Sequence, residues 1–179
     1  MKKTIILTAI SFIFIIPHKL SAQINEDKLG TWYMYFFNTT FKESSWGIQG
    51  DVQYRNWNIA GDLEQLLLRG GLTYKPKKAD IKLTFGYGNI TTGSYGNDKS
   101  TSAESRIYQE ALFPIKFGNR FHTSHRFRYE QRFVENQDFR TRYRYNMFIN
   151  IPLNKTEMEK KTLYLALYNE LFINGQRKI

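Results

Sequence analysis

Residues 121–133 read FHTSHRFRYEQRF, and the side-chain character changes at every step. Phe121, Thr123, His125, Phe127, Tyr129, Gln131 and Phe133 share one parity, while His122, Ser124, Arg126, Arg128, Glu130 and Arg132 share the other. Successive side chains of an extended chain point to opposite sides, so this period predicts a long β-strand with one aromatic face and one charged face. Seven further segments carry the same pattern, near 31–38, 45–55, 64–74, 81–90, 105–116, 140–152 and 162–174. In the second, Trp46, Ile48, Val52 and Tyr54 oppose Gln49, Asp51, Gln53 and Arg55; in the seventh, Tyr143, Tyr145, Met147 and Ile149 oppose Arg140, Arg142, Arg144 and Asn146. Two segments also carry helix signals: 62–70, which opens on an aspartate suited to capping, and 156–172, rich in helix formers. Alternation of Leu66, Leu68 and Leu72 against Gln65 and Arg69, and of Leu163, Leu165 and Leu167 against Glu170, predicts strands there instead. Residues 91–105 predict a long polar loop and 74–80 a shorter one. The expected fold is all-β: an antiparallel up-and-down β-barrel of at least eight strands.

Alternation admits two arrangements. If the aromatic face covers a core, the sheet is soluble; if it meets lipid, the charges line the inside of a membrane barrel. Length favours lipid, because the sixth and seventh segments run well beyond the ~5–6 residues of ordinary strands and suffice for the ~9–11 that cross a bilayer. Aromatics recur near segment ends, at Trp32, Trp46, Trp57, Phe117, Phe121, Phe133 and Phe139, where a girdle at the headgroups would sit. Charge type agrees. A hairpin through Phe117-Gly118-Asn119 sets Lys116 opposite Arg120, Glu110 opposite Arg126 and Arg106 opposite Glu130. Pairing Arg132 with Arg140 then sets Glu130 opposite Arg142 and brings Glu170 beside Arg142 or Arg144. The expected interior network is therefore Arg106, Glu110, Arg126, Arg128, Glu130, Arg132, Arg140, Arg142, Arg144 and Glu170. Arginines in a crowded interior need such carboxylate partners. Lysines, which mark wet surfaces, cluster instead at 75–78 and 155–161.

The chain opens on Met1-Lys2-Lys3, an apolar run from Ile5 to Pro17 and the small-residue exit Leu20-Ser21-Ala22. This predicts a cleaved signal peptide over 1–22 and a single barrel domain over 23–179. Three of the 26 basic residues and none of the 16 acids lie in the leader, which takes the formal charge from +10 to +7 in the mature chain. Cysteine is absent, which excludes disulfides, thiolate metal sites and a cysteine nucleophile. Twelve Tyr, 14 Phe and three Trp against four Pro favour β structure.

The stretches RIYQE (106–110), HRFRYEQRF (125–133) and LYNELFIN (167–174), following the opening LGTWYMYFF (29–37), resemble an uncharacterised family of Bacteroides-group Gram-negative proteins known as domain of unknown function 2490. Its members are regarded as outer-membrane β-barrels. The resemblance covers the mature chain and implies an outer-membrane location, with no activity to carry over. Members usually continue for several more strands, so this chain is expected either to be incomplete at its C-terminus or to close with eight strands alone.

Candidate chemistry is sparse. His122 and Ser124 share a strand face and resemble the histidine–serine pair of outer-membrane lipid A deacylases, with histidine as base and serine as nucleophile. The opposing Pro114 and Asn150 supply no orienting carboxylate, so these are only weak catalytic candidates. His122 and His125 fall on opposite faces and cannot chelate one metal together; no metal site and no cofactor is expected. Gly86 and Gly88 lack the strand-to-helix setting of a nucleotide loop and read as space for large neighbours. The export signal argues against nucleic acid as a partner. The expected partners are outer-membrane lipid or lipopolysaccharide and the barrel-insertion machinery. The function expected is non-enzymatic: structural, or passage of small solutes or anions past an Arg/Glu/Tyr lining. The alternatives are a soluble exported barrel or sandwich holding an apolar ligand, and a lipid hydrolase using His122 and Ser124.

Overall fold

The computed structural model describes residues 29–59 and 61–176. The expected signal peptide lies outside the described residues. Eight strands follow in chain order: β1 (Thr31–Thr40), β2 (Trp46–Asn56), β3 (Leu63–Tyr74), β4 (Lys82–Gly93), β5 (Thr101–Phe117), β6 (Phe121–Val134), β7 (Arg140–Pro152) and β8 (Tyr164–Gln176). Each pairs antiparallel with the next, so the order in the sheet is the order in the chain. Both segments with helix signals are strands, β3 and β8. Alternation overrides propensity there because a helix would scatter Leu66, Leu68 and Leu72 around its circumference, whereas a strand keeps them on one side.

The sheet curls into a half-barrel, and side chains from all eight strands line one trough on its concave side. The concave face is the charged one. Its middle is buried: Glu130 is 1% exposed, and Arg106, Tyr108, Glu110 and Asn146 are buried with it. The convex face carries the aromatic and aliphatic parity, and Phe85, Phe127, Tyr143 and Leu171 on it are about half exposed, at 49–61%. Aromatic pairs stand toward both ends of the sheet, Trp46 with Tyr74 at 4.8 Å and Phe133 with Phe139 at 5.2 Å. The eight strands do not close on themselves, since β1 and β8 each have a single neighbour. Along β1 every residue after Thr31 is exposed.

Two sequence expectations shift. The loop expected at 91–105 shrinks to 94–100, because Thr92 pairs with Ser102 and Gly93 with Thr101. Polar β-branched residues extend a ladder as well as apolar ones do. The β5–β6 hairpin turns one residue later than expected, through Gly118-Asn119-Arg120, which shifts the pairing register by two residues and sets Phe117 opposite Phe121 and Lys116 opposite His122. Gly118 takes φ of 56°, a left-handed conformation glycine enters without steric cost.

Candidate functional site

Antiparallel register stacks the concave side chains of β5 to β8 into cross-strand rows. Arg106, Arg132 and Arg140 form one row; Tyr108, Glu130, Arg142 and Asn174 the next; Glu110, Arg128, Arg144 and Phe172 a third; Leu112, Arg126, Asn146 and Glu170 a fourth. Residues directly opposite stand close enough for side chains to meet, and arginine also reaches the rows above and below.

Most guanidinium groups find carboxylates diagonally. Arg144 donates to Glu130 at 2.9 Å and to Glu170 at 2.7 Å, tying two rows together. Arg128 donates to Glu110 at 2.7 Å and its guanidinium lies 4.6 Å over the Tyr108 ring. Arg126 reaches Glu170 at 3.2 Å and stands 3.9 Å from Glu110. Arg106 and Arg132 both fork onto Glu104, with terminal nitrogens at 2.9 and 2.8 Å. Arg106 keeps Glu130 at 3.9 Å. Tyr168 donates to Glu170. Forked, charge-assisted bonds of this kind fix both partners in orientation.

The expected residues are thus brought together, but every expected β5–β6 pair is displaced: Arg106 sits opposite Arg132 rather than Glu130, and Lys116 opposite His122 rather than Arg120. Glu110 sits opposite Arg128, not Arg126, because of the shifted hairpin. Across β6 and β7 the expected register holds, with Arg132 opposite Arg140, Glu130 opposite Arg142 and Glu170 beside Arg144, but neither Arg140 nor Arg142 has a carboxylate within 4 Å among the described residues. Arg142 instead donates to Asn174 at 2.8 Å, and the buried Nε of Arg140 has no acceptor. Arg144 lies nearer to both acids and takes them.

Sequence reasoning missed Glu104, which it assigned to a loop, and a second centre on β2 and β3. There Arg69 grips Asp51 through Nε at 3.0 Å and a terminal nitrogen at 2.8 Å. The signal was present in the alternation that put both residues on the polar parity. Gly88 leaves room for the Arg69 stem, since a Cβ there would stand 2.9 Å from its Cγ. Gly86 does the same for Tyr108, whose ring would lie 2.2 Å from an added Cβ. Both glycines are therefore slots for large concave neighbours, as their placement in the sequence suggested.

The trough they border has a volume of about 600 Å³. Six cations line it (Arg55, Arg69, Lys82, Arg126, Arg128 and Arg144) against the three carboxylates of Asp51, Glu110 and Glu170. Lys82 donates to Gln49 at 2.7 Å, and the Nε groups of Arg55 and Arg126 are buried without an acceptor. Phe36, Phe148 and Tyr168 add apolar wall. The surplus of positive charge and free donors suits a small anion, whose hydration such a surface replaces.

His122 and Ser124 do share the concave face, opposite Asn150 and Phe148. No hydrogen bond joins them. His122 has Glu157 of the β7–β8 connection at 3.9 Å. His125 is on the other face, hydrogen-bonded to Tyr145 at 2.8 Å and stacked on Phe113. Among the described residues no group of three or more His, Asp and Glu is placed to hold a metal ion.

No curated protein and no solved structure matches the chain. A family model described as "Protein of unknown function (DUF2490)" matches residues 29–179, which include all eight strands and every residue of the concave network. The chain belongs to that family, proteins of unknown function built here on an antiparallel β half-barrel.

Proposed function

We propose that this is a non-enzymatic outer-membrane protein whose convex face meets lipid and whose concave face forms the cationic wall of a passage for small anions. One observation carries the reading: the sheet is inverted relative to a water-soluble one, with charges buried on the concave side and aromatics exposed around the convex side. A soluble barrel holding an apolar ligand needs the opposite curl. On β6 the apolar parity runs from Phe121 to Phe133. Those twelve residue steps span roughly 40 Å of strand and about 30 Å along the barrel axis at the usual tilt, close to a bilayer core. No helix among the described residues is long and apolar enough to cross a membrane.

Inside such a wall, the Arg/Glu network holds the arginines in place, and the charge surplus selects anions over cations. The hydrolase reading has weaker support, since His122 and Ser124 are not hydrogen-bonded and both face the polar trough rather than the lipid. The test is fractionation of cells expressing the full chain. Retention of the mature protein in carbonate-washed membranes, with faster gel migration unboiled than boiled, is the expected result. Release into the wash refutes the membrane reading.

A further inference from the structure

Because strands alternate in direction, the seven connections fall into two groups at opposite ends of the half-barrel. Connections 41–45, 75–81, 118–120 and 153–163 lie at one end; 57–62, 94–100 and 135–139 lie at the other. The first group contains eight basic and four acidic residues, the second one basic and four acidic. One end therefore carries a formal charge of +4 and the other −3.

Local pairing leaves the contrast intact. At the basic end, Lys75 meets Asp80 at 3.4 Å, Lys155 meets Glu159 at 2.8 Å and Lys116, at the end of β5, takes Glu157 at 2.6 Å. Lys42, Lys77, Lys78, Arg120, Lys160 and Lys161 have no ion-pair partner among the described residues. At the acidic end the single cation, Lys99, is bonded to Asp62. Turn chemistry asks for Gly, Asn, Asp, Ser or Pro and gives no reason for the adjacent lysines at 77–78 and 160–161.

Position makes the charge usable. The basic connections stand just beyond the convex aromatic belt, next to the Trp46–Tyr74 pair and the exposed Phe117 and Phe121. In a molecule with that belt at the membrane interface, cations one turn further out lie at the depth of lipid phosphates. We propose that the basic end docks on the phosphates of anionic lipid headgroups and so sets the direction in which the half-barrel sits in the bilayer. This rests on the membrane reading above. The acidic end, repelled by the same headgroups, faces the opposite side.

The test uses the full mature chain in maltoside micelles, titrated with dihexanoylphosphatidic acid, dihexanoylphosphatidylcholine or inorganic phosphate. Saturable binding of the anionic lipid is expected, with no binding of the choline lipid and no displacement by inorganic phosphate. A juxtamembrane cation contributes about fivefold in binding at low salt, so Lys77→Gln/Lys78→Gln/Lys160→Gln/Lys161→Gln together lower the affinity about 600-fold. Asp98→Asn/Asp138→Asn at the other end leaves it within about twofold, as single charges a molecule's length away are screened. A loss under about tenfold in the lysine variant, equal binding of the neutral lipid, or displacement by inorganic phosphate overturns the proposal. Gel mobility of the unboiled sample separates the two levels. If the chain shows no heat-dependent mobility in micelles, the membrane reading fails and takes the docking with it; if mobility is normal and binding insensitive, only the docking fails.

Discussion

Glu130→Ala tests whether the concave network holds the sheet together. Glu130 is the most deeply buried carboxylate, 1% exposed, with Arg144 at 2.9 Å, Arg128 at 3.7 Å and Arg106 at 3.9 Å. On the concave side of β5 to β8 its removal changes seven arginines against four glutamates into seven against three. Breaking a buried pair costs about 3–5 kcal/mol because the partner charge is left unmatched. Each of the three arginines retains a second acid: Arg144 keeps Glu170, Arg128 keeps Glu110 and Arg106 keeps Glu104. That redundancy places the expected loss at the lower bound, about 3 kcal/mol. With a urea slope of about 2 kcal/mol per molar, the unfolding midpoint falls by about 1.5 M. Glu130→Gln keeps the shape and one hydrogen bond and falls between. Glu157→Ala, which removes only the exposed contacts with Lys116 and His122, is the control and leaves the midpoint nearly unchanged. Unfolding of the mature chain in vesicles, followed by the unboiled gel band, reads all three. A midpoint for Glu130→Ala within about 0.3 M of the Glu157→Ala value would refute the claim that the concave carboxylates neutralise a buried cationic wall.

Phe127→Arg puts a charge midway along the convex face of β6. In vesicles it is expected to destabilise by about 2–4 kcal/mol, whereas a water-facing site would accept it at almost no cost, so the same urea titration distinguishes the surroundings. Gly86→Leu drives a side chain into the Tyr108 ring and is expected to lower stability by about 1–3 kcal/mol; adding Tyr108→Ala to make room should recover part of that loss in a double-mutant cycle. The hydrogen bond from Lys116 holds the Glu157 carboxyl below the usual glutamate range. A depressed carboxylate contributes its tie at neutral pH and loses it as the pH falls through the folded-state value, so the β7–β8 connection should loosen only in acid. Carbon NMR of Glu157 checks this, with Lys116→Met moving the midpoint up.

Most of the fold was legible because alternation is a direct print of strand geometry, and eight runs of it became eight strands. The misplaced boundary at 91–105 has a definite cause: threonine and serine look like loop residues by polarity, yet Thr92 and Ser102 continue the ladder. The β5–β6 register needed turn chemistry rather than charge matching. Gly118 enters the left-handed region and starts the turn, and the two aromatic neighbours Phe117 and Phe121 close it. In the site, residue types were legible and partners were not. Counting opposite charges row by row assigns Glu130 to Arg142, but an arginine stem is long enough for Arg144 to take two acids from adjacent rows, stranding Arg140 and Arg142. For the Asp51–Arg69 pair the alternation gives the shared polar parity, and the β2–β3 register, which sets the two directly opposite each other, was the missing part.

The open edges of the half-barrel impose a rule of parity. Eight alternating strands leave β1 and β8 running in opposite directions, each with a row of backbone donors and acceptors turned outward. In hydrocarbon such groups cost several kcal/mol apiece, so a membrane-resident form must have both rows bonded. If every joint is to stay antiparallel, the gap admits only an even number of additional strands, or none with β1 meeting β8 directly. An odd number would force one parallel seam into the cylinder, with slanted bonds on one side of the wall and perpendicular ones everywhere else.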